Sequence, residues 1–189
     1  MMNVFRLLIL LPVLALLASC SFLTPLYDSP HYANSQALPE LLSHHQLVIN
    51  HDKKHYHYEV VMESRQGVSH ILVMAAFGRP VLSYTLDGED LNTELQALAS
   101  LPISTVQLFS HFQQIFWPRD SLLNVASSHN AVPIFEPLQR QFFQQNQLDV
   151  LVTYDNACLW QGTTTLTNKA DHYSLQFNSV LSHSALPLC

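Results

Sequence analysis

From Leu41 onward, apolar and polar residues alternate in short runs divided by turn residues, the two-residue period of strands with one covered face. The pattern predicts strands at Gln46–Asn50, Lys54–Ser64, Val68–Ala75, Val81–Leu86 and Leu91–Leu95. Arg65-Gln66-Gly67 and Asp87-Gly88 read as tight connections between them, and Asp-Gly favours a type I′ hairpin. A second series is predicted at Pro133–Phe135, Leu138–Phe143, Leu148–Tyr154, Ala157–Leu166 and His172–Leu181. One strand is apolar on both sides. Ile71, Val73 and Ala75 face one way, and Leu72, Met74 and Ala76 the other, so both faces need cover.

Between the two series the period changes to that of a helix. Ser104-Thr105-Val106-Gln107 has the form of a capping box, and Ile103 and Leu108 are spaced for a hydrophobic staple around it. Leu108, Phe109, Phe112, Ile115 and Phe116 share one face at a 3.6-residue period, while Gln107, Ser110, His111 and Gln114 share the opposite one. Pro118 holds Trp117 extended and ends the helix, and a second short helix is expected from Pro118 to Ala126. Strands, an aromatic helix and more strands make a mainly β, α+β fold, expected as an antiparallel sheet curled around the helix. Such a lid can leave an apolar cavity. Its lining or lid is expected from Leu72, Met74, Leu108, Phe109, Phe112, Ile115, Phe116 and Trp117.

The amino-terminal residues add a compartment to this picture. Leu7 to Leu17 is an apolar run broken by Pro12, behind a start with a single cation, Arg6. It is shorter than the roughly 20 residues that span a bilayer and has the form of a signal-peptide core. Leu17-Ala18-Ser19-Cys20 resembles the bacterial lipobox, in which the cysteine becomes the acylated amino terminus. That resemblance implies a leader over residues 1–19 and lipidation of Cys20. Ser21 in place of Asp implies export to the periplasmic face of the outer membrane. Residues 20–40 carry Pro25, Pro30 and Pro39 without a period and read as a tether to a domain over residues 41–189.

Charge and cysteine chemistry narrow the partners. Eight Lys and Arg face 14 Asp and Glu, a formal net charge of −6 that excludes a nucleic-acid partner and attraction to anionic lipid by overall charge. In an oxidising compartment Cys158 and Cys189 are candidates for a disulfide closing a loop of about 30 residues. Free thiols or an intermolecular bond are the alternatives. Eleven histidines, five of them in SHHQLVINHDKKHYHY, raise a metal site, with His55 and His57 on one strand face. No third ligand is evident, Lys53 and Lys54 lie beside them, and a solvated strand face is the reading adopted. The sequence has no Gly-x-Ser-x-Gly elbow, phosphate loop, His-Glu-x-x-His helix or Cys-x-x-Cys pair, so no catalytic residue, metal or cofactor is assigned.

HILVMAAFGRPVLSYTLDG, the LPIS helix start and VQLFSHFQQIFWP follow one another between Tyr58 and Trp160. In this order, behind a lipobox, they resemble the LolB-like outer-membrane lipoproteins. The resemblance is nearest to a LolB-like family of unknown function found among aryl-polyene biosynthesis genes. It implies an incomplete barrel with an apolar cavity and a protruding loop whose apolar residue touches membrane or cargo. Carried over, that loop is Phe77, Gly78 and Arg79, with Arg79 available to a phosphate. The implied function is binding or transfer of an acyl-chain, lipoprotein or aryl-polyene cargo without catalysis, in exchange with a LolA-like carrier or export complex. A scaffolding lipoprotein of an envelope complex is the alternative, and a periplasmic hydrolase or metal protein a further one.

Overall fold

In the computed structural model, residues 32–95, 101–128 and 132–184 are described; Cys20 and Cys189 lie outside them. The first half forms β1 (Leu41–His51), β2 (Lys54–Arg65), β3 (Val68–Ala75), β4 (Arg79–Asp87) and β5 (Asp90–Leu95). Two helices follow, α1 (Thr105–Phe116) and α2 (Arg119–Ser128). The second half forms β6 (Val132–Glu136), β7 (Gln139–Gln144), β8 (Gln147–Tyr154), β9 (Thr163–Asn168) and β10 (Tyr173–Ser184). Among the described residues no helix is long and apolar enough to cross a membrane.

All ten strands join one antiparallel sheet in the order β5-β4-β3-β2-β1-β10-β9-β8-β7-β6. Each half is a meander of sequential hairpins, and the two meet in the middle where β1 pairs with β10 from Leu41↔Ser184 to Asn50↔Ser174. The chain therefore runs outward to one edge, crosses to the opposite edge and returns to the centre. This corrects the expected α+β incomplete barrel: among the described residues the fold is dominated by a single open sheet with two short helices, and the sheet does not close. Both edges carry features that stop further pairing. Pro133 removes a donor from β6, and Asp90 and Glu94 charge β5.

Inward and outward positions alternate as the sequence implied. On β1, Leu41, Ser43, His45, Leu47 and Ile49 are buried. The second series differs from expectation at one strand. Residues 157–162 form a loop that buries Cys158 and Trp160, and β9 starts only at Thr163. The turns also differ in detail. Gln66 and Gly67 both take positive φ, 53° and 80°, as a type I′ turn requires. Between Asp87 and Asp90 only Gly88 does, at 60°, so the expected I′ geometry is absent there.

Helix α1 begins as the sequence indicates. The Gln107 amide donates to Ser104 Oγ at 3.1 Å, and the Ser104 amide donates to Gln107 Oε1 at 3.3 Å, closing the capping box. The sheet grips the helix at its backbone as well as its side chains. Tyr84 of β4 donates its hydroxyl to the Thr105 carbonyl at 2.6 Å, and Tyr154 of β8 donates to that of Ile115 at 2.8 Å. At the far end Arg140 of β7 donates through Nη1 to the carbonyls of Gln114 at 2.9 Å and Trp117 at 2.8 Å. A buried cation thus caps the negative end of α1, with Phe135 and Tyr154 rings each 5.6 Å from its guanidinium.

Residues assigned to the tether belong in part to the fold. Ala33, Ser35 and Leu38 are buried, and the Tyr32 ring meets Phe109 edge-on at 5.0 Å. The Gln113 side chain pairs with Ala33 in both directions, accepting from its amide at 3.2 Å and donating to its carbonyl at 2.9 Å. The prolines hid this segment because it is held by side-chain contacts rather than by a repeating period.

Replacing Arg140 with Met removes two charge-assisted bonds and leaves two helix carbonyls without partners. We expect a loss of about 3 kcal/mol of stability. Urea titration checks this: the midpoint should fall with an unchanged slope, and a midpoint equal to that of the parent would remove Arg140 from the supports of α1.

Candidate functional site

The connection from β3 to β4 is a tight three-residue turn, Ala76–Gly78, following a register shift at Val73/Met74. At its tip Phe77 takes φ 63° and ψ 27° and is fully exposed, at 106% of its reference area. Ala76, Gly78, Arg79 and Pro80 beside it are exposed as well. Left-handed geometry costs a non-glycine residue roughly 1–2 kcal/mol. Leaving a phenylalanine in water forgoes roughly 1.5–3 kcal/mol of burial. Both penalties fall on the same residue, and among the described residues no contact offsets them. Among the described residues, no atom lies within 4 Å of where a side chain on Gly78 would begin.

The aromatic helix face has the opposite fate. Leu108, Phe109, Phe112, Ile115 and Trp117 are wholly buried, and Phe116 nearly so. Their space is filled by one another and by the sheet. Phe109 lies 5.0 Å from Tyr84, Phe112 lies 5.5 Å from Phe177, and Phe116 stacks on Trp160 at 4.8 Å. These residues form the core, where the sequence reading placed a cavity wall. Leu72 and Met74 do not join them. Strand alternation turns both away from Ile71 and Val73, which are the β3 side chains facing α1's side of the sheet.

The histidines separate in the same way. Among the described residues no three His, Cys, Asp or Glu side chains are placed to hold a metal ion. His45 is wholly buried, between Ser43 Oγ at 3.0 Å and Ser179 Oγ at 3.1 Å, with Phe116 5.0 Å away. Burial, helped by His44, pushes its pKa down to about 4. His111, expected on the polar face of α1, is buried too. It meets Tyr173 Oη at 2.5 Å and Gln114 Oε1 at 2.8 Å. Burial pushes its pKa down to about 4 against the opposing pull of Gln114 and Asp171. The helical wheel held the clue, since His111 sits only about 40° from Ile115.

Beneath α1's first turn a polar chain continues from this histidine. Asn168 Nδ2 donates to Tyr173 Oη at 3.2 Å and Asp171 Oδ2 at 3.3 Å, and Gln107 Nε2 donates to the same carboxylate at 2.9 Å. Cys158 is buried and disulfide-bonded; Cys189, its expected partner, lies outside the described residues, as does the lipidation site Cys20.

Residues 43–181 match a family model described as Protein of unknown function (DUF3261). The chain belongs to that family. The DUF3261 match runs from β1 to β10 and so takes in both meanders, α1 and the Phe77 turn. No curated protein matches the chain.

Two measurements follow for this DUF3261 protein. Phe77→Gly should raise unfolding stability by about 1 kcal/mol, since glycine accepts φ 63° without strain. A lower thermal midpoint for that variant would show the ring to be part of the fold. Acid should act through the two buried histidines. Their folded pKa near 4 lies below the ordinary 6.5, so the unfolded chain takes up protons first. Stability is then complete above about pH 6.5 and falls through the window down to about pH 4, by on the order of 3 kcal/mol per histidine at the limit. Urea midpoints compared across that window should show the fall, and His111→Asn should flatten it; equal slopes in parent and variant would rule the histidine out.

Proposed function

We propose that this DUF3261 protein is a lipoprotein anchored on the periplasmic face of the outer membrane, binding or transferring a hydrophobic cargo in the manner of LolB-like lipoproteins. The observation that supports the reading is Phe77, held strained and fully exposed at the end of a hairpin. A ring that costs the fold on both counts is suited to burial in something else. Acyl chains or a polyene would return the 1.5–3 kcal/mol or so that water withholds. The lipobox at Cys20 would bring such a surface within reach, and a LolA-like carrier or export complex is the expected source or recipient of cargo. The reading rests on the loop and the leader, and it needs no internal cavity.

A second reading, a scaffolding lipoprotein of an envelope complex, draws on a different observation: the aromatic face of α1 is fully used inside the core. The two readings part at the tip. In a chain beginning at Ser21, Phe77→Trp should give fluorescence quenched by vesicles with brominated acyl chains. Phe77→Glu should lower vesicle partitioning by on the order of tenfold or more while the fold stays intact. An unquenched tryptophan at this position, together with unchanged partitioning of the glutamate variant, would leave the scaffold reading standing alone.

A further inference from the structure

The register places several turns at one end of the sheet. His51↔Lys54 closes the β1–β2 hairpin, Tyr173↔Asn168 begins the β9–β10 pairing, and Asn50↔Ser174 sets the two side by side. Between these turns lies a cleft of about 650 Å3 whose lining includes Lys53, Lys54 and Lys169. These are all the lysines of the chain. Asp52 is the one acidic residue in that lining, so the cleft carries a local charge of +2 in a protein of net −6. His51, His55 and His172 complete its rim.

The floor is built from fixed polar groups. Asn50 accepts a hydrogen bond from His55 Nδ1 at 2.5 Å through Oδ1, and donates through Nδ2 to Ser174 Oγ at 3.1 Å. Asn168 and Tyr173, both buried, are locked to each other and to His111. Two further carboxylates stand beside the cleft: Asp171, held by Gln107 and Asn168, and Asp149, whose backbone carbonyl accepts from the Lys169 amide at 2.8 Å. Lysine ammonium groups are compact charges that suit phosphate, and three of them match a multiply charged anion better than a single carboxylate.

We propose that this cleft binds a phosphate or pyrophosphate group, with Lys53, Lys54 and Lys169 as its charge partners. The β3–β4 turn bearing Phe77 lies at the same end, since β3 finishes against the first half of β2 at Met74↔Glu59. A phospholipid headgroup and a soluble phosphate ester would both meet the same lysines. The inference stands on the cleft and does not need the Phe77 reading.

The test titrates inorganic pyrophosphate into the full-length protein in nonionic detergent by calorimetry at low salt. Saturable binding is expected, weakened on the order of tenfold in Lys53→Gln/Lys169→Gln, weakened by added salt, and unchanged in Arg65→Gln at the opposite end of the sheet. Phe77→Glu should bind pyrophosphate as the parent does, which separates this site from the loop. Dihexanoyl phosphatidylglycerol below its micelle concentration, set against dihexanoyl phosphatidylcholine, gives the second arm. Lysine-dependent preference for the glycerol headgroup marks a lipid source, and pyrophosphate binding without that preference marks a soluble one. No saturable binding of either probe, or equal weakening by Arg65→Gln, overturns the site.

Discussion

The pairing of β1 with β10 is the contact on which the other features depend. Each meander alone is a local structure that its hairpins can specify, but each would leave a long strand unpaired at its inner edge. Joining β1 to β10 removes both inner edges and makes one continuous sheet. The join also carries its own irregularity, a register shift between His44 and His45, and there the buried imidazole reaches Ser179 on the partner strand. A histidine that stays neutral can sit in such a place, bonded on both nitrogens, where a charged one would be strongly disfavoured.

That topology fixes the work of α1. With the halves joined at their inner strands, the chain must travel from the β5 edge to the β6 edge, and the helices lie on that route. Helix α1 accordingly touches strands from both meanders, Tyr84 of β4 at its start and Tyr154 of β8 and Arg140 of β7 at its end. Its aromatic face is wide because it must cover the middle of a ten-stranded sheet, and rings fill that span with few side chains. An apolar face this extensive looks like a cargo site when only its composition is known. In the folded chain it is consumed by Phe177, Trp160 and Tyr84.

Local structure was legible in the sequence to the extent that local chemistry determines it. The capping box of α1, the stop at Trp117 and the hairpin at Gln66-Gly67 depend on residues within a few positions of one another. The fold class did not follow from them, because strand order across a helical connection is set by long-range pairing that no period records. Leu72 and Met74 were misplaced for a related reason: an apolar outer position resembles an inner one until the face is known. Arg140 and Tyr173 gave no local signal, since their partners are distant in the chain. Phe77 was visible because an aromatic between a strand and Gly78 breaks a local rule.

The distribution of backbone strain separates the two ends of the sheet. At the end holding Gly67 and Gly88, positive φ falls largely to glycine, with Gln66 the exception. At the other end it falls to Asp52, Lys53, Phe77, Gln145, Asn146 and His172, with Gly78 alone as glycine. Aspartate, asparagine and histidine accept this geometry more readily, whereas lysine, glutamine and phenylalanine bear a penalty on the order of 1 kcal/mol each. Glycine at those positions would relieve it and would also erase the side chains. Turns that served only to reverse the chain would gain from the exchange. A turn that must present an ammonium group or a ring would not, and residues of those kinds stand at this end, on either side of β2.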